Sequence, residues 1–195
     1  MRDLAYQLLD NISSLYTVNS LTGYLKSRGH KAPKTAVSQY LDWFEDAFFL
    51  FSVRLFDASL SRSNTNPKKI YCVDHALVTS ISSGILTNAG HLLENLVFSA
   101  LRSISDSIYY YRTRNGKEVD FIIPLQDGTK LLIQVCETLA DPATRKRELN
   151  ALGEAMEELG CPVETIVTRT EEERIELKGR LINVMPTWKW LLALV

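Results

Sequence analysis

Three polar side chains stand in two apolar segments between residues 118 and 136, where packing alone does not require them. Asp120 lies in the first segment, EVDFIIP, and Gln134 and Cys136 lie two positions apart in the second, KLLIQVC. An Asp on one strand, followed by an acid and a Lys two apart on the next, is the spacing with which many nucleases hold a divalent metal ion. Here an amide replaces the acid and a thiol replaces the Lys.

Alternation along a strand places Gln134 and Cys136 on the same face of the second segment. Asp120 stands among apolar neighbours, where a carboxylate needs a partner to offset its burial. A metal ion would provide one, and so would the cations nearby in sequence, which are Arg112, Arg114 and Lys117. The pattern therefore favours a remnant of a metal site and leaves a plain hairpin as the alternative.

The two substitutions predict a site that has lost its activity. Mg²⁺ prefers charged oxygen ligands, and Gln134 offers an oxygen without a charge. Cys136 offers a soft thiol, whose unperturbed pKa is about 8.5, and cannot replace a cation that stabilises phosphate. Glu94, at the rim of a helical apolar stripe, is the fourth candidate for the remnant catalytic site. We therefore expect no cofactor, with Mg²⁺ held weakly by Glu94 and Asp120 as the alternative.

The elements predicted around these residues form a mixed sheet with helices on both faces. An amphipathic helix at residues 90–103 precedes three strands, whose turns contain Asn115-Gly116 and Asp127-Gly128. A long helix from Pro142 to Gly160, two more strands and a final helix follow. This is the element order of the restriction-endonuclease-like fold, which we predict for residues 81–195.

Residues 1–80 have the pattern of three short helices followed by two strands, the order of a winged helix. The third helix of such modules usually contacts DNA. The candidate nucleic-acid-binding residues are Lys31, Lys34, Ser38, Gln39, Arg62, Lys68 and Lys69. Asp42 and Glu45 are unfavourable neighbours for DNA, so a module used only for packing is the alternative. The fold class predicted for the whole chain is α/β (α+β).

Composition excludes several other classes of protein. The chain has 195 residues, of which 46% are hydrophobic and 23% charged, as in ordinary globular proteins. Its net charge of -1 creates no general attraction for nucleic acid. Three cysteines without C-x-x-C spacing predict a reducing, cytoplasmic setting. No apolar run approaches the roughly 18 residues of a membrane span, so we expect no membrane partner.

Seven stretches together carry a resemblance to a known family. They are TVNSLTGYLKS, VSQYLDWFEDAFFLF, PKKIYCVD, GHLLENLVF, YYYRTRNGKEVDFII, LIQVCETLADPATRKREL and MPTWKWLL. In these the chain resembles the C-terminal portion of archaeal and bacterial AAA-type ATPases, known as domain of unknown function 4143. Some members have Glu-Val-Lys where this chain has Gln134 to Cys136, and others share the QVC form.

The resemblance implies a winged helix and a nuclease-like domain that follow an N-terminal ATPase domain. No G-x-x-x-x-G-K-[ST] motif occurs in the 195 residues. We therefore expect an ATP-binding domain earlier in a longer protein, and we expect that domain to be a partner of this region.

Three functions remain open at this point. The first is an interaction module of an AAA-type ATPase, with a degenerate nuclease-like site and with DNA as a candidate partner. The second is a metal-dependent DNA nuclease with a substituted active site. The third is a regulatory domain that contacts only its own ATPase. Binding of a divalent metal distinguishes the first two, because only the nuclease needs it.

Overall fold

The computed structural model describes residues 1–81 and 88–194. Helices and strands alternate along the chain, which confirms the predicted α/β (α+β) class. The chain divides into two compact units: unit 1 is Met1–Arg54 with Ser59–Ser99, and unit 2 is Leu55–Ala58 with Ala100–Val195. Residues 82–87, at the start of the second predicted domain, lie outside the described residues, and the predicted domains 1–80 and 81–195 stay a prediction.

Unit 1 combines helices with a small antiparallel sheet. The elements from the start of the chain are α1 (Arg2–Asp10), β1 (Leu15–Tyr16), α2 (Val18–Ser27), α3 (Lys34–Asp46), β2 (Leu50–Leu55), α4 (Leu60–Thr65), β3 (Lys68–Cys72), α5 (His75–Ile81) and α6 (Ala89–Arg102). β3 pairs antiparallel with both β1 and β2. The three predicted helices and the two predicted strands of this region are therefore confirmed.

The apolar stripes of α1 and α3 build the core of unit 1. Val37, Leu41 and Phe44 recur at helical spacing on α3, and all three are buried. α2 begins with a capping box in which the Thr17 side chain accepts from the backbone of Ser20.

Unit 2 contains a mixed sheet. Its elements after α6 are β4 (Tyr109–Arg112), β5 (Glu118–Pro124), β6 (Lys130–Val135), α7 (Pro142–Leu159), β7 (Val163–Thr168), β8 (Glu173–Leu177), β9 (Arg180–Pro186) and α8 (Thr187–Ala193). The strand order is β4-β5-β6-β7-β9-β8. Strands β4, β5 and β6 are antiparallel, β6, β7 and β9 are parallel, and β8 is antiparallel to β9. The predicted mixed sheet is confirmed.

The long helix α7 covers one face of this sheet. Asp141 caps its first turn through the Thr144 amide, Pro142 occupies the first turn, and Gly160 ends the helix in the left-handed conformation. Its buried residues form a core with side chains of the strands, a set that includes Ile122, Leu132, Leu152, Ala155, Met156, Ile166 and Ile182. Because side chains alternate along a strand, Asp120 and Gln134 share the face of Ile122 and Leu132 and point toward α7.

Three elements were not predicted. α4 lies between the two predicted strands of unit 1, and the side chain of Ser59 caps it by accepting from the Arg62 amide. β1 has two residues, and β8 is a charged strand at the edge of the sheet. Within the ranges that the structure covers, no helix is both long enough and apolar enough to cross a membrane.

Candidate functional site

The candidate site begins where the paired residues of β5 and β6 end. Backbone pairing runs from Pro124 and Lys130 to Phe121 and Ile133. Beyond that point the amide of Asp120 donates to Gln134 Oε1 at 3.3 Å, and the amide of Val135 donates to Asp120 Oδ2 at 2.9 Å. Two of the predicted site side chains therefore satisfy backbone groups of the neighbouring strand.

A third side chain joins them from α7. Gln134 Nε2 donates to Glu148 Oε2 at 2.7 Å, and Arg147 donates to Glu148 Oε1 from Nε at 2.9 Å and from Nη2 at 2.6 Å. Asp120, Gln134 and Glu148 are each no more than 7% exposed. The Gln134 amide thus connects two strands to a helix, and the Arg147 guanidinium offsets the buried charge of Glu148.

A cavity of about 430 Å³ lies beside this network. Its lining residues are Lys117, Glu118, Asp120, Gln134, Arg147, Glu148, Asn150 and Ala151. Lys117 pairs with Glu154 at 2.8 Å, and Arg112 pairs with Glu118 at 3.4 Å. Arg112 and Lys117, two of the three cations that lie near Asp120 in the sequence, therefore bind other carboxylates.

Cys136 lies on the same face and packs into the core of unit 2. Burial raises the pKa of its thiol to about 12, and the charges of Glu148, Glu171 and Asp120 add to this effect. The thiol is therefore neutral at physiological pH, and a neutral thiol is a poor metal ligand and a poor nucleophile. The next acid along the chain, Glu137, pairs with Arg169.

The oxygen atoms of the network are poorly arranged for Mg²⁺. Both carboxylate oxygens of Glu148, one of Asp120 and the amide oxygen of Gln134 accept hydrogen bonds from N–H groups. Mg²⁺ needs near-octahedral oxygen ligands at roughly 2.1 Å, so these hydrogen bonds compete with metal coordination for the same oxygens. In residues 1–81 and 88–194, no group of three or more His, Cys, Asp or Glu side chains is placed to hold a metal ion.

Glu94, the fourth predicted residue, belongs to unit 1. Its carboxylate is 7% exposed and accepts from Lys69 Nζ at 3.0 Å and from the Tyr71 hydroxyl at 2.6 Å. Glu94, which the sequence places at the rim of the α6 stripe, is thus buried, and a cation and a phenol on β3 satisfy its carboxylate. Since Asp120 belongs to unit 2, a metal site shared by these two carboxylates stays a prediction.

The predicted nucleic-acid-binding residues differ widely in exposure. Lys31, Lys34, Gln39 and Arg62 are exposed, and Ser38 is half-buried. Lys68 is half-buried, and burial lowers the pKa of its ammonium, followed by the charge of Arg54. Lys69 is 3% exposed and holds Glu94. Lys31, Lys34 and Arg62 are therefore the cations of this set that solvent reaches best.

The sequence analysis missed Glu148 and Arg147. Glu148 precedes Leu152 and Ala155 at the i, i+4, i+7 spacing of the buried α7 stripe. A carboxylate within an apolar stripe is rarely buried without a partner, and this was the signal that could have identified it.

Comparisons with known proteins give relatives of this chain. It is 30% identical over 195 residues to an uncharacterized protein of Methanocaldococcus jannaschii, covering 95% of this chain and 43% of that protein. It is 24% identical over 185 residues to an uncharacterized protein of Haemophilus influenzae, covering 95% of this chain and 44% of that protein. The chain thus spans less than half the length of these relatives. No solved structure matches it. A family model matches residues 89–190, more than half of the chain, and the chain therefore belongs to the family described as domain of unknown function (DUF4143).

Proposed function

We propose that this chain is an interaction module of a longer protein, in which unit 2 has a restriction-endonuclease-like fold that does not cleave DNA. The supporting observation is the network of Asp120, Gln134, Glu148 and Arg147, in which hydrogen bonds occupy the polar atoms that a metal would need. Gln134 supplies no third charge, and Cys136 supplies no cation for a phosphate.

In this proposal the network is an internal connection between β5, β6 and α7. Hydrogen bonds to charged groups contribute about 1.5–3 kcal/mol each, and a buried carboxylate left without its partner destabilises the fold. A metal ion would have to compete with Arg147 for Glu148 and with the Val135 amide for Asp120. That competition favours the metal-free network.

The test is DNA cleavage with Mg²⁺ or Mn²⁺ by the wild type and by a variant with the acid and the Lys restored. The wild type is expected not to cleave. Gln134→Glu with Cys136→Lys is expected to bind the metal more tightly, as measured by calorimetry, and to gain cleavage if the fold is nuclease-like. Removing one such electrostatic contact typically lowers a rate by about 100- to 1,000-fold.

The matched control is Gln134→Glu with Cys136→Met, which adds the acid without the cation. Cleavage by the wild type that Asp120→Ala abolishes would establish the alternative, a nuclease with a substituted site. If neither double variant binds metal, the hypothesis that this site derives from a nuclease site is wrong. The proposed role as an interaction module then has to be tested by binding experiments.

The partner we propose is an ATPase domain elsewhere in the same longer protein. The support is the resemblance to AAA-type ATPases, together with the coverage of 43% and 44% of the two relatives. Co-purification of this chain with the separately expressed remainder of the full-length protein tests the idea. Absence of binding at micromolar concentrations would remove the ATPase as a partner.

DNA contact by a winged helix in unit 1 is a second candidate, supported by one local feature. Residues 26–34 lead into α3 and include its first residue, Lys34. They contain four exposed cations, Lys26, Arg28, Lys31 and Lys34, and no acidic residue. A cluster of this kind can neutralise phosphates. The C-terminal half of α3 is acidic, so the surface suited to DNA is limited to its N-terminal end.

A further inference from the structure

Strand β8 is a free edge of the mixed sheet in unit 2. It is the last strand in the order β4-β5-β6-β7-β9-β8, and among the strands that the structure describes it pairs only with β9. Its five residues pair with β9 without a break in register. β8 contains neither a Pro nor a bulge, two features that commonly protect an edge from further pairing. The edge can therefore accept another strand.

The turn between β8 and β9 determines which backbone groups of β8 point outward. A two-residue turn with positive φ at both positions joins Leu177 to Arg180, so these residues form the hydrogen-bonded pair that closes the hairpin. Alternation from this pair directs the N–H and C=O groups of Arg174 and Glu176 away from β9. The Leu181 amide of β9 donates away from β8, to the residue before β7, at 3.0 Å, which agrees with this alternation.

The charges along this edge are complementary to themselves. Every second residue of segment 172–178 is charged, and the four in order are Glu172, Arg174, Glu176 and Lys178. The signs run negative, positive, negative, positive, and in the reverse direction they run positive, negative, positive, negative. A second copy of the segment, antiparallel about the central Ile175, therefore places an opposite charge against each of the four.

The two inner charges have no partner of their own in the fold. Arg174 and Glu176 are exposed, and neither forms an ion pair within residues 1–81 and 88–194. The outer two have partners, since Glu172 pairs with Lys189 and Lys178 lies 3.7 Å from Glu157. Arg174 and Glu176 are thus the charges that a second strand would satisfy.

We propose that β8 pairs antiparallel with β8 of a second copy of this chain, with the two-fold axis at Ile175. Arg174 of each copy then forms a hydrogen-bonded pair with Glu176 of the other, and the side chains form two ion pairs. The two half-buried Ile175 side chains meet in the non-hydrogen-bonded pair, where side chains lie closest.

The same charges exclude the neighbouring registers. Moving the axis by one residue places either Arg174 against Arg174 or Glu176 against Glu176, and like charges directly opposite destabilise a strand pair. A parallel pair in register opposes like charges at every charged position. The charge pattern therefore selects one register and one direction. The inference goes beyond the proposed function and does not depend on it.

The dimer is expected to be weak. Five residues of a strand span roughly 17 Å, and one such strand pair buries less than the roughly 800 Å² per partner of a standard interface. The expected dissociation constant is on the order of 10–100 µM, in the range of transient complexes.

Sedimentation of the 195-residue chain across about 5 to 500 µM tests this proposal. The mass is expected to rise from 22.1 kDa toward twice that value. Arg174→Glu and Glu176→Arg should each weaken the dimer at least about tenfold, because each replaces two attractive contacts with two repulsive ones. Lys31→Glu, the same charge change at an exposed position of unit 1, is the control and should leave the dissociation constant unchanged. All three side chains are exposed, so thermal unfolding of the dilute variants should match the wild type and exclude misfolding.

A mixture of the two weakened variants tests the register. Arg174→Glu presents acids at positions 174 and 176, and Glu176→Arg presents arginines at both, so the equimolar mixture should dimerise at least as tightly as the wild type. Hydrogen exchange tests the backbone pairing, since the amides of Arg174 and Glu176 should be protected only in the concentrated sample.

A chain that stays monomeric up to about 500 µM overturns the proposal. So does a dimer that Arg174→Glu leaves unchanged, a mixture of the two variants that remains monomeric, or a dimer in which both edge amides exchange as fast as in the monomer.

Discussion

Gln134 has a role that neither a glutamate nor an aliphatic residue could take over. Its amide oxygen accepts from the Asp120 backbone, and its amide nitrogen donates to Glu148. A carboxylate at this position could accept but not donate. Sequence reasoning identified Asp120, Gln134 and Cys136 as neighbours because strand alternation determines which side chains share a face. The apolar stripe of α7 indicated that Glu148 is buried, but not which strand residues it meets, because that depends on how α7 packs.

The first prediction concerns the charge of this network. Gln134→Glu places a third buried carboxylate beside Asp120 and Glu148 and removes a donor to Glu148. At pH 7.5 we expect it to lower the free energy of unfolding by about 2–4 kcal/mol. Repulsion by the neighbouring charges raises the pKa of the introduced carboxyl group in the folded variant, so the loss should shrink as the pH falls and that group binds a proton. Urea unfolding at pH 7.5 and 5 measures both effects.

Gln134→Met is the control for this change, since it removes the amide without adding charge. Its loss of stability should be nearly independent of pH over the same range. If Gln134→Glu unfolds with the wild-type midpoint at pH 7.5, the network does not hold the charges together as described.

The second prediction concerns Glu164, a buried carboxylate of β7 that accepts from the Leu132 amide at 2.7 Å. Burial raises its pKa to about 7 from an ordinary value of 4.5. Between these values the folded protein binds a proton that the unfolded chain has lost. The stabilising contribution of that proton is therefore complete below pH 4.5 and is lost as the pH rises to about 7, by up to about 3 kcal/mol.

Glu164→Gln keeps the hydrogen-bond acceptor and removes the titration. Relative to this variant, the wild type should lose on the order of 2–3 kcal/mol of unfolding free energy between pH 5 and pH 8. The exposed Glu176→Gln serves as the control and should show no such difference. Parallel pH profiles for the wild type and Glu164→Gln would mean that Glu164 is already ionised at pH 5.

At the scale of elements, periodic and capped segments were predictable and short or edge segments were not. α7 has an Asp cap, Pro in its first turn and a terminal Gly, so its limits could be read from the chain. β1 is too short to show alternation. α4, with the sequence LSRSNT, is polar after Leu60 and depends on its Ser59 cap, and β8 carries charges typical of an edge strand. Pairing with a neighbouring strand creates β1 and β8, and a local cap supports α4, so hydrophobic periodicity could not reveal any of the three.

A third prediction uses two glycines of opposite role. Gly160 ends α7 with φ 73°, so Gly160→Ala should destabilise the protein by about 1 kcal/mol. Gly23 lies inside α2, and an added Cβ would meet nothing within 4 Å. Gly23→Ala should therefore stabilise by about 0.5–1 kcal/mol through helix propensity. Thermal unfolding of both variants should show shifts of opposite sign, and equal shifts would contradict the assigned roles of the two glycines.

At the scale of the whole molecule, the chain contains two compact units and spans less than half the length of the two relatives that it matches. The mixed sheet of unit 2 could be predicted because three strands, a crossover helix and two further strands leave few ways to connect. The buried Lys69–Glu94 pair could not be predicted, since it joins β3 to α6, two elements that are distant in sequence. Because Lys69 is buried, it is not part of the surface that could contact DNA, although the sequence had placed it among the candidate residues.

The last prediction tests that surface. Lys31→Ala with Lys34→Ala should weaken binding of duplex DNA and reduce the salt slope of log K by about 0.9 for each phosphate that the variant no longer neutralises. Lys69 is left unchanged, because an unpaired Glu94 would cost about 3–5 kcal/mol of stability. Lys178→Ala with Lys189→Ala, which removes the same charge from unit 2, is the control. Equally weakened binding in both double variants would indicate a general charge effect, and unchanged binding in both would remove DNA from the partners of unit 1.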